Sequence, residues 1–191
     1  MIMLIKRGFP ICNVFSLIER NRRGQIWVET VVYTLVAFAL IGLVLAFVKP
    51  KIEEIQDKGI IEQSVNVLDE VDSIIRNIGG PGNQRVVRIG ISKGTLNLDG
   101  VNDRIFFDID SNHAYSEPGE NIERGSISLT TQEVGSGYNV SIILDYDGEY
   151  NLKIDNADEL KKIERGSTPY KVLISNEGVA EGETIIGISV E

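Results

Sequence analysis

The N-terminal part of the sequence places a basic-basic-glycine junction directly before a lone carboxylate. Arg22 and Arg23 precede Gly24, and Glu29 stands five residues after that glycine. From Thr30 to Val48 there is no charged residue. This order predicts two kinds of chemistry. One is hydrolysis of the peptide bond after Gly24, and the other is pairing of the Glu29 carboxylate with a positive group, because a carboxylate in an apolar medium is costly unless it is paired.

The chain has a single histidine, the first candidate for a catalytic residue. His113 lies in a predicted loop with Tyr115 and Pro118, and no serine elbow, phosphate loop or Cys-His pairing surrounds it. A lone loop histidine is typical of a solvent-facing side chain. We therefore predict that the chain is not an enzyme and uses no cofactor.

A possible cation loop begins just before that histidine. Asp108, Asp110 and Asn112 repeat at the spacing of the first ligands of a calcium loop, but His113 stands where the sharp-turn glycine belongs and Gly119 where the closing glutamate belongs. The alternative is an acidic strand end that runs into a loop. On this pattern we predict no metal site.

One tripeptide has the pattern of an N-glycosylation acceptor. Asn139-Val140-Ser141 satisfies it, and the same residues fall within a predicted strand. Asn139 is therefore a candidate acceptor only if its side chain points outward.

The uncharged run must be carried by a helix. Its 19 positions span roughly 28 Å at ~1.5 Å per residue, close to the thickness of a hydrocarbon core, and only a helix satisfies its own backbone there. Residues 1–24 contain five basic residues and one acidic residue, so the positive-inside rule predicts a cytoplasmic N-terminus and an exterior C-terminal part. An ordinary secretory signal is less suitable, because nine apolar residues follow its best cleavage pattern, Ala37-Phe38-Ala39.

Arg22 to about Val48 resembles the type IV pilin superfamily, in particular archaeal pilins with class III signal peptides. The resemblance implies that a prepilin peptidase recognises Arg22 and Arg23 and cuts between Gly24 and Gln25. Glu29 would then be the fifth mature residue, where most type IV pilins have a glutamate. Archaellins share this architecture but commonly lack that glutamate, so Glu29 favours a pilin.

The same resemblance implies an assembly role for Glu29. The new amine of Gln25 in one subunit would neutralise Glu29 of a neighbour inside a helical bundle and set the axial register. The alternative is that Glu29, near the membrane edge, simply reaches the interface.

Composition limits what the rest of the chain does. The 191 residues carry a net charge of −9, and the residues from Gln25 onward carry −13 because the leader is basic. Such an acidic exterior part is unsuited to nucleic-acid binding. The one cysteine, Cys12, lies in the predicted leader, which excludes disulfides and cysteine metal sites from the mature chain.

Residues 49–78 are predicted to continue the helix as an amphipathic segment. Pro50 is expected to bend it, and apolar residues recur at three- and four-residue spacings from Ile52 and Ile55 to Ile78. Gly79-Gly80-Pro81-Gly82-Asn83 is expected to end the helix.

Residues 84–191 are predicted to form a β-rich head with seven or eight short strands in an antiparallel, sandwich-like arrangement. Asp147-Gly148 and Asp99-Gly100 are expected to form type I′ turns. Ala157 to Arg165 is expected to form a short helix capped by Asn156. The predicted fold class is α+β, with a long transmembrane-then-amphipathic N-terminal helix before the head.

Four segments follow: a cleaved leader at 1–24, a membrane or filament-core helix at 25–48, its amphipathic continuation at 49–78 and an extracellular head at 84–191. The expected function is that of a structural subunit of a surface filament that is inserted in the membrane as a precursor. The expected partners are other copies of the chain, a prepilin peptidase, an assembly platform protein and an ATPase. The alternative is a single-pass anchored β-domain that binds a ligand or partner.

Overall fold

A computed structural model describes the backbone from Arg22 and the side chains from Trp27 to Glu191. Most of the predicted leader, including Cys12, lies outside the described residues. The chain divides into two compact units, Met1–Val48 and Lys49–Glu191.

One long helix, α1, covers Arg22–Arg76. In the first unit, every side chain from Trp27 to Val48 is exposed. This is the one described helix that is long and apolar enough to cross a membrane, and by length and composition it fits a membrane anchor or a signal sequence. The helix continues through Pro50. A proline removes a single donor, so the hydrogen bonds of the neighbouring turns are sufficient to carry the helix past it.

Ten strands follow α1 in the second unit. They are β1 Gln84–Ile89, β2 Thr95–Asp99, β3 Arg104–Ser111, β4 Asn121–Arg124, β5 Ile127–Val134, β6 Gly137–Asp145, β7 Tyr150–Ile154, β8 Leu160–Glu164, β9 Tyr170–Ala180 and β10 Glu183–Val190. The eight runs of alternating apolar residues in the sequence all coincide with strands. The predicted α+β class, a long apolar helix followed by antiparallel-dominated sheets, is confirmed.

The strands form two sheets. The four-stranded sheet has the order β1-β9-β10-β7, and the six-stranded sheet has the order β4-β5-β6-β3-β2-β8. All pairs are antiparallel except β7 with β10, which is parallel. Because β6 and β7 belong to different sheets, the segment with Asp147-Gly148 connects the two sheets and is not a hairpin.

Neither predicted type I′ turn is present. Gly148 has a positive φ of 73° but Asp147 does not, and Gly100 does not have a positive φ either. In the β2–β3 turn the left-handed residue is Asp103, with a φ of 51°. Gly100 is required there for another reason: a β-carbon on it would lie 2.8 Å from the carbonyl oxygen of Leu152.

One hydrophobic core joins both sheets to the second half of α1. The helix contributes buried residues at three- and four-residue spacings, and each sheet contributes the alternate residues of one face: Ile61, Val65, Leu68, Val71, Ile75, Ile89, Leu98, Ile105, Ile142, Val172, Ile174 and Ile188 are among them. Leu68 and Val71 meet residues of both sheets around a void of about 10 Å³. The helix is thus a structural part of the core.

The amphipathic stripe is shorter than the sequence predicted. Ile52 and Ile55 are 47% and 70% exposed, whereas Ile61 is 1% exposed. The spacing explains why Ile52 is not buried, because the nine steps from Ile52 to Ile61 make two and a half turns at 3.6 residues per turn. Ile52 therefore lies on the opposite side of α1 from the core.

The prediction of a short helix from Ala157 to Arg165 is wrong. Asp155 and Asn156 have positive φ values of 49° and 68°, so they form a left-handed turn and Asn156 is not a helix cap. The next residues form β8, an edge strand that pairs with β2. Only Ile163 of β8 is buried, and the predicted inward-facing Leu160 is 47% exposed.

A buried carboxylate attaches the second half of α1 to the loops of the β-rich unit. Asp57 is 6% exposed. It accepts hydrogen bonds from Lys93 Nζ at 2.5 Å, Ser111 Oγ at 3.1 Å and the Asn112 backbone N–H at 3.1 Å. Burial raises the pKa of Asp57, but these hydrogen bonds, that from Lys93 foremost, outweigh it and hold the pKa below its ordinary value.

Two further carboxylates of α1, Glu62 and Asp72, also contact the β-rich unit. Glu62 accepts hydrogen bonds from Tyr115 Oη at 2.5 Å and Arg124 at 2.9 Å. Burial and the Glu62 carboxylate raise the pKa of Tyr115 to about 12, so the phenol stays a donor. Nearer the end of α1, Asp72 accepts a hydrogen bond from the fully buried Tyr146 at 2.9 Å.

Replacing Asp57 is expected to destabilise the β-rich unit. Asp57→Ala leaves the Asn112 N–H without its acceptor and Lys93 without its ion-pair partner, and a buried unsatisfied donor costs about 1–3 kcal/mol. We expect a loss of about 2 kcal/mol in the free energy of unfolding, measured by denaturant titration in detergent. Glu70→Ala on the exposed side of α1 is the control and should change little. Equal losses in the two variants would contradict the role of Asp57.

Acid is expected to remove the contribution of Asp57. Its folded pKa lies below its ordinary value of 3.8, so its stabilisation is complete above that value and is lost as the pH falls through the folded pKa. Unfolding followed from pH 7 to pH 2 should show a steeper acid loss in the wild type than in Asp57→Ala. Parallel curves would show that Asp57 is not the group responsible.

Candidate assembly and processing site

The predicted cleavage site lies within α1, close to the first residue that the structure describes. Gly24 and Gln25 have helical backbone, as do Arg22 and Arg23. Because a protease binds its substrate in an extended form, cleavage here would require this part of the helix to open.

Glu29 has a partner on its own helix. Its Oε1 accepts a hydrogen bond from Tyr33 Oη at 3.2 Å, and both side chains are exposed. The sequence analysis did not predict that Tyr33 pairs with Glu29. Residues four apart on a helix lie on the same side, so this spacing could have identified the pair. The carboxylate thus has one local donor and keeps acceptor capacity for a positive group.

The surface beyond Glu29 is apolar on all sides. The 18 residues from Val31 to Val48 are uncharged and exposed, and they extend roughly 27 Å at ~1.5 Å per residue. Trp27 and Tyr33 flank Glu29 at one end, where amphipathic aromatic rings suit a membrane interface. At the other end, Lys49 and Lys51 form ion pairs with Glu53 and Glu54.

Small residues interrupt this apolar surface on one side. Ala39, Gly42 and Ala46 are separated by three and four residues, so they share a side of α1, and Ala37 lies on another. Nothing else approaches within 4 Å of the position that a β-carbon on Gly42 would occupy. This side of the helix allows the backbone of another helix to come close.

The candidate glycosylation residue faces outward, as use of the acceptor requires. Asn139 lies on the outer face of the six-stranded sheet, while the next residue, Val140, is fully buried. Asn139 Nδ2 donates to Asp110 at 3.0 Å, whereas Ser141 Oγ lies 3.3 Å from Asn139 Oδ1 and only 2.7 Å from its nearer acceptor, Asp108 Oδ1. The acceptor amide is therefore held by the neighbouring strand β3.

The spacing of Asp108, Asp110 and Asn112 arises from the strand. Asp108 and Asp110 are successive outward residues of β3, and Asp108 accepts hydrogen bonds from Ser141 and Asn97. Asn112 lies beyond the strand and donates its N–H to Asp57. Between Trp27 and Glu191 no three His, Cys, Asp or Glu residues are grouped to hold a metal ion.

His113 lies in the loop after β3, as predicted. Its backbone N–H and carbonyl both bond Ser111 Oγ, at 3.1 and 2.7 Å. The residue borders a small pocket of about 50 Å³ next to Glu54 and Lys58. Asp57 and Ser111 also line this pocket, and Ser111 Oγ bonds the backbone of His113 and not its ring.

Comparison of the chain with protein-family models, with curated proteins and with solved structures finds no match in any of the three.

Proposed function

We propose that this chain is a structural subunit of a type IV pilus-like surface filament. A prepilin peptidase processes it after Gly24, and the mature chain polymerises through α1. The observation that carries the proposal is the exposed, uncharged helical surface from Val31 to Val48, joined through the same helix to a folded β-rich unit. Such a surface requires an apolar environment, which is lipid before assembly and other copies of α1 after it.

Helix packing would drive assembly. Lipid tails are as apolar as leucine, so transfer from lipid to a bundle gains close packing rather than burial from water. The side of α1 with Ala39, Gly42 and Ala46 permits such packing. A platform protein and an ATPase would supply the work of extracting the precursor from the membrane.

Glu29 would provide the specific contact. A carboxylate at the centre of a transmembrane helix costs about 2.5–3.5 kcal/mol on insertion scales, and Glu29, at the end of the apolar segment, bears part of that cost. Tyr33 offsets part of this cost in the unassembled chain, and the Gln25 ammonium group of a neighbour would neutralise the charge in the filament. The pairing would fix the axial register of each added subunit.

The rest of the chain would lie outside the cell. The N-terminus of the precursor is cytoplasmic, and the acidic β-rich unit is the exterior part of a filament at the cell surface. Asn139 on the outer face of the six-stranded sheet is the proposed glycan acceptor. No nucleic acid, metal, cofactor or catalytic step has a role in this function.

Processing is the first test. Mass spectrometry of the chain isolated from its own cells should find an N-terminus at Gln25. Gly24→Val should block cleavage, because a branched residue replaces the small one before the scissile bond, whereas Gly59→Ala in the helix should be processed normally. An intact N-terminus in the wild type would favour the anchored β-domain, and a terminus at Leu40 would indicate an ordinary signal peptide.

The assembly role of Glu29 is tested separately. Glu29→Gln removes the charge that pairs with the Gln25 ammonium group, so we expect at least about a tenfold loss of sheared filaments at normal levels of processed subunit. Tyr33→Phe leaves the charge in place and removes a contact of the unassembled chain, so it should assemble at least as well as the wild type, and Glu53→Gln beyond the apolar segment should assemble like the wild type. Unchanged filament yield in Glu29→Gln would mean that the carboxylate only reaches the membrane interface.

A further inference from the structure

The outer face of the four-stranded sheet contains a polar pocket of about 300 Å³. Ser175 and Glu177 of β9 lie on one side of it, and Asp155 and Asn156 of the turn after β7 lie on the other. The proposed role in filament assembly does not use this pocket. Its chemistry is set by how the Glu177 carboxylate is placed.

Strand alternation and a β-bulge together place Glu177 beside the pocket. Glu177 stands two residues after Ser175 in β9, so its side chain lies on the same face of the sheet. In the pairing of β9 with β10, Ile185 is opposite Gly178 and Ile186 is opposite Asn176, so Glu177 is the extra residue of a bulge and has no partner residue on β10. Gly178 has a positive φ of 114°, which favours glycine at this point.

Gly187 makes room for that carboxylate. It lies in the middle of β10, opposite Ser175. A β-carbon on it would collide with the Glu177 carboxylate and would stand 2.7 Å from Ser175 Oγ. Glycine inside a strand costs roughly 0.5–1 kcal/mol and often marks a close approach by another group. Because Gly187 has no side chain, the exposed Glu177 side chain can lie across β10 beside Ser175.

The Glu177 carboxylate lacks a partner among the residues whose side chains the structure describes. The other carboxylate of the pocket, that of Asp155, forms an ion pair with Lys161 at 2.5 Å. Ser175 Oγ donates its proton to the Gly187 carbonyl at 3.3 Å, so its oxygen remains free to accept. The pocket therefore offers one uncompensated negative charge among neutral acceptors.

We propose that this pocket binds a primary ammonium or guanidinium group. Lysine and arginine side chains have only donors, which match a carboxylate and neighbouring oxygens, and Leu173 in the wall can contact their carbon chain. Calcium needs six to eight oxygen ligands, usually with several carboxylates, and only one is uncompensated here. The net charge of −13 from Gln25 onward also concentrates cations near the surface.

The binding test uses the full chain in detergent micelles and Nα-acetyl-lysine methylamide as the probe. Titration calorimetry should detect binding that Glu177→Gln weakens at least about tenfold, because a charged hydrogen bond is lost. Glu123→Gln on the six-stranded sheet is the matched control and should bind like the wild type. Gly187→Ala, verified as folded by circular dichroism, should also weaken binding, since it displaces the carboxylate.

Three results would overturn the proposal: equal affinity in Glu177→Gln, equal affinity for the probe acetylated at Nζ, or displacement of the probe by equimolar calcium. The assay needs no filament, so its failure is distinct from failure of the proposed function. Isolated filaments then identify the source of the group. If a second copy of the chain supplies the ammonium or guanidinium group, saturating probe and Glu177→Gln should each lower the temperature at which the filaments dissociate. If a free molecule supplies the group, Glu177→Gln filaments should be as stable as those of the wild type.

Discussion

The structure depends on a helical surface that its own fold leaves uncovered. From Val31 to Val48 the helix α1 has no charge and no buried side chain, yet the same helix supplies the core of the β-rich unit from Ile61 onward. One helix therefore has apolar surfaces in two different environments. In the second unit the water-excluding partners are the two sheets, and in the first they must be lipid or other chains. A folded globular domain has no need of that exposed surface, so the surface is the part of the molecule from which a function follows.

The second half of α1 is held by more than apolar packing. A smooth hydrophobic stripe would allow the helix to slide by a turn against the sheets at little cost. Asp57, Glu62 and Asp72 each bond a different part of the β-rich unit, and a shift by one turn would break all three contacts at once. Buried polar groups are costly when unpaired, so these contacts specify one register.

Local patterns predicted most of the elements but little of their arrangement. Alternation identified eight strands because their inward residues are buried and their outward residues are not. It missed β4, whose four residues are all exposed, and β8, where the edge position buries only Ile163. The partition into two sheets depends on long-range pairing, such as β7 beside β10, that no local pattern contains. The pocket beside Glu177 could not be predicted either, because it combines Gly187 of the neighbouring strand with the turn after β7.

In the proposed function, the chemistry of one nitrogen would link processing to assembly. Before cleavage the nitrogen of Gln25 belongs to a peptide bond and is neutral, so it cannot neutralise Glu29 of another chain. Cleavage after Gly24 would convert it to an ammonium group and would also remove the five basic residues that the positive-inside rule places in the cytoplasm. The precursor would thus remain dispersed, with Tyr33 as the only described donor to the Glu29 carboxylate. The cut would create the partner for that carboxylate and release the restraint on extraction in the same step, so polymerisation could not precede proteolysis.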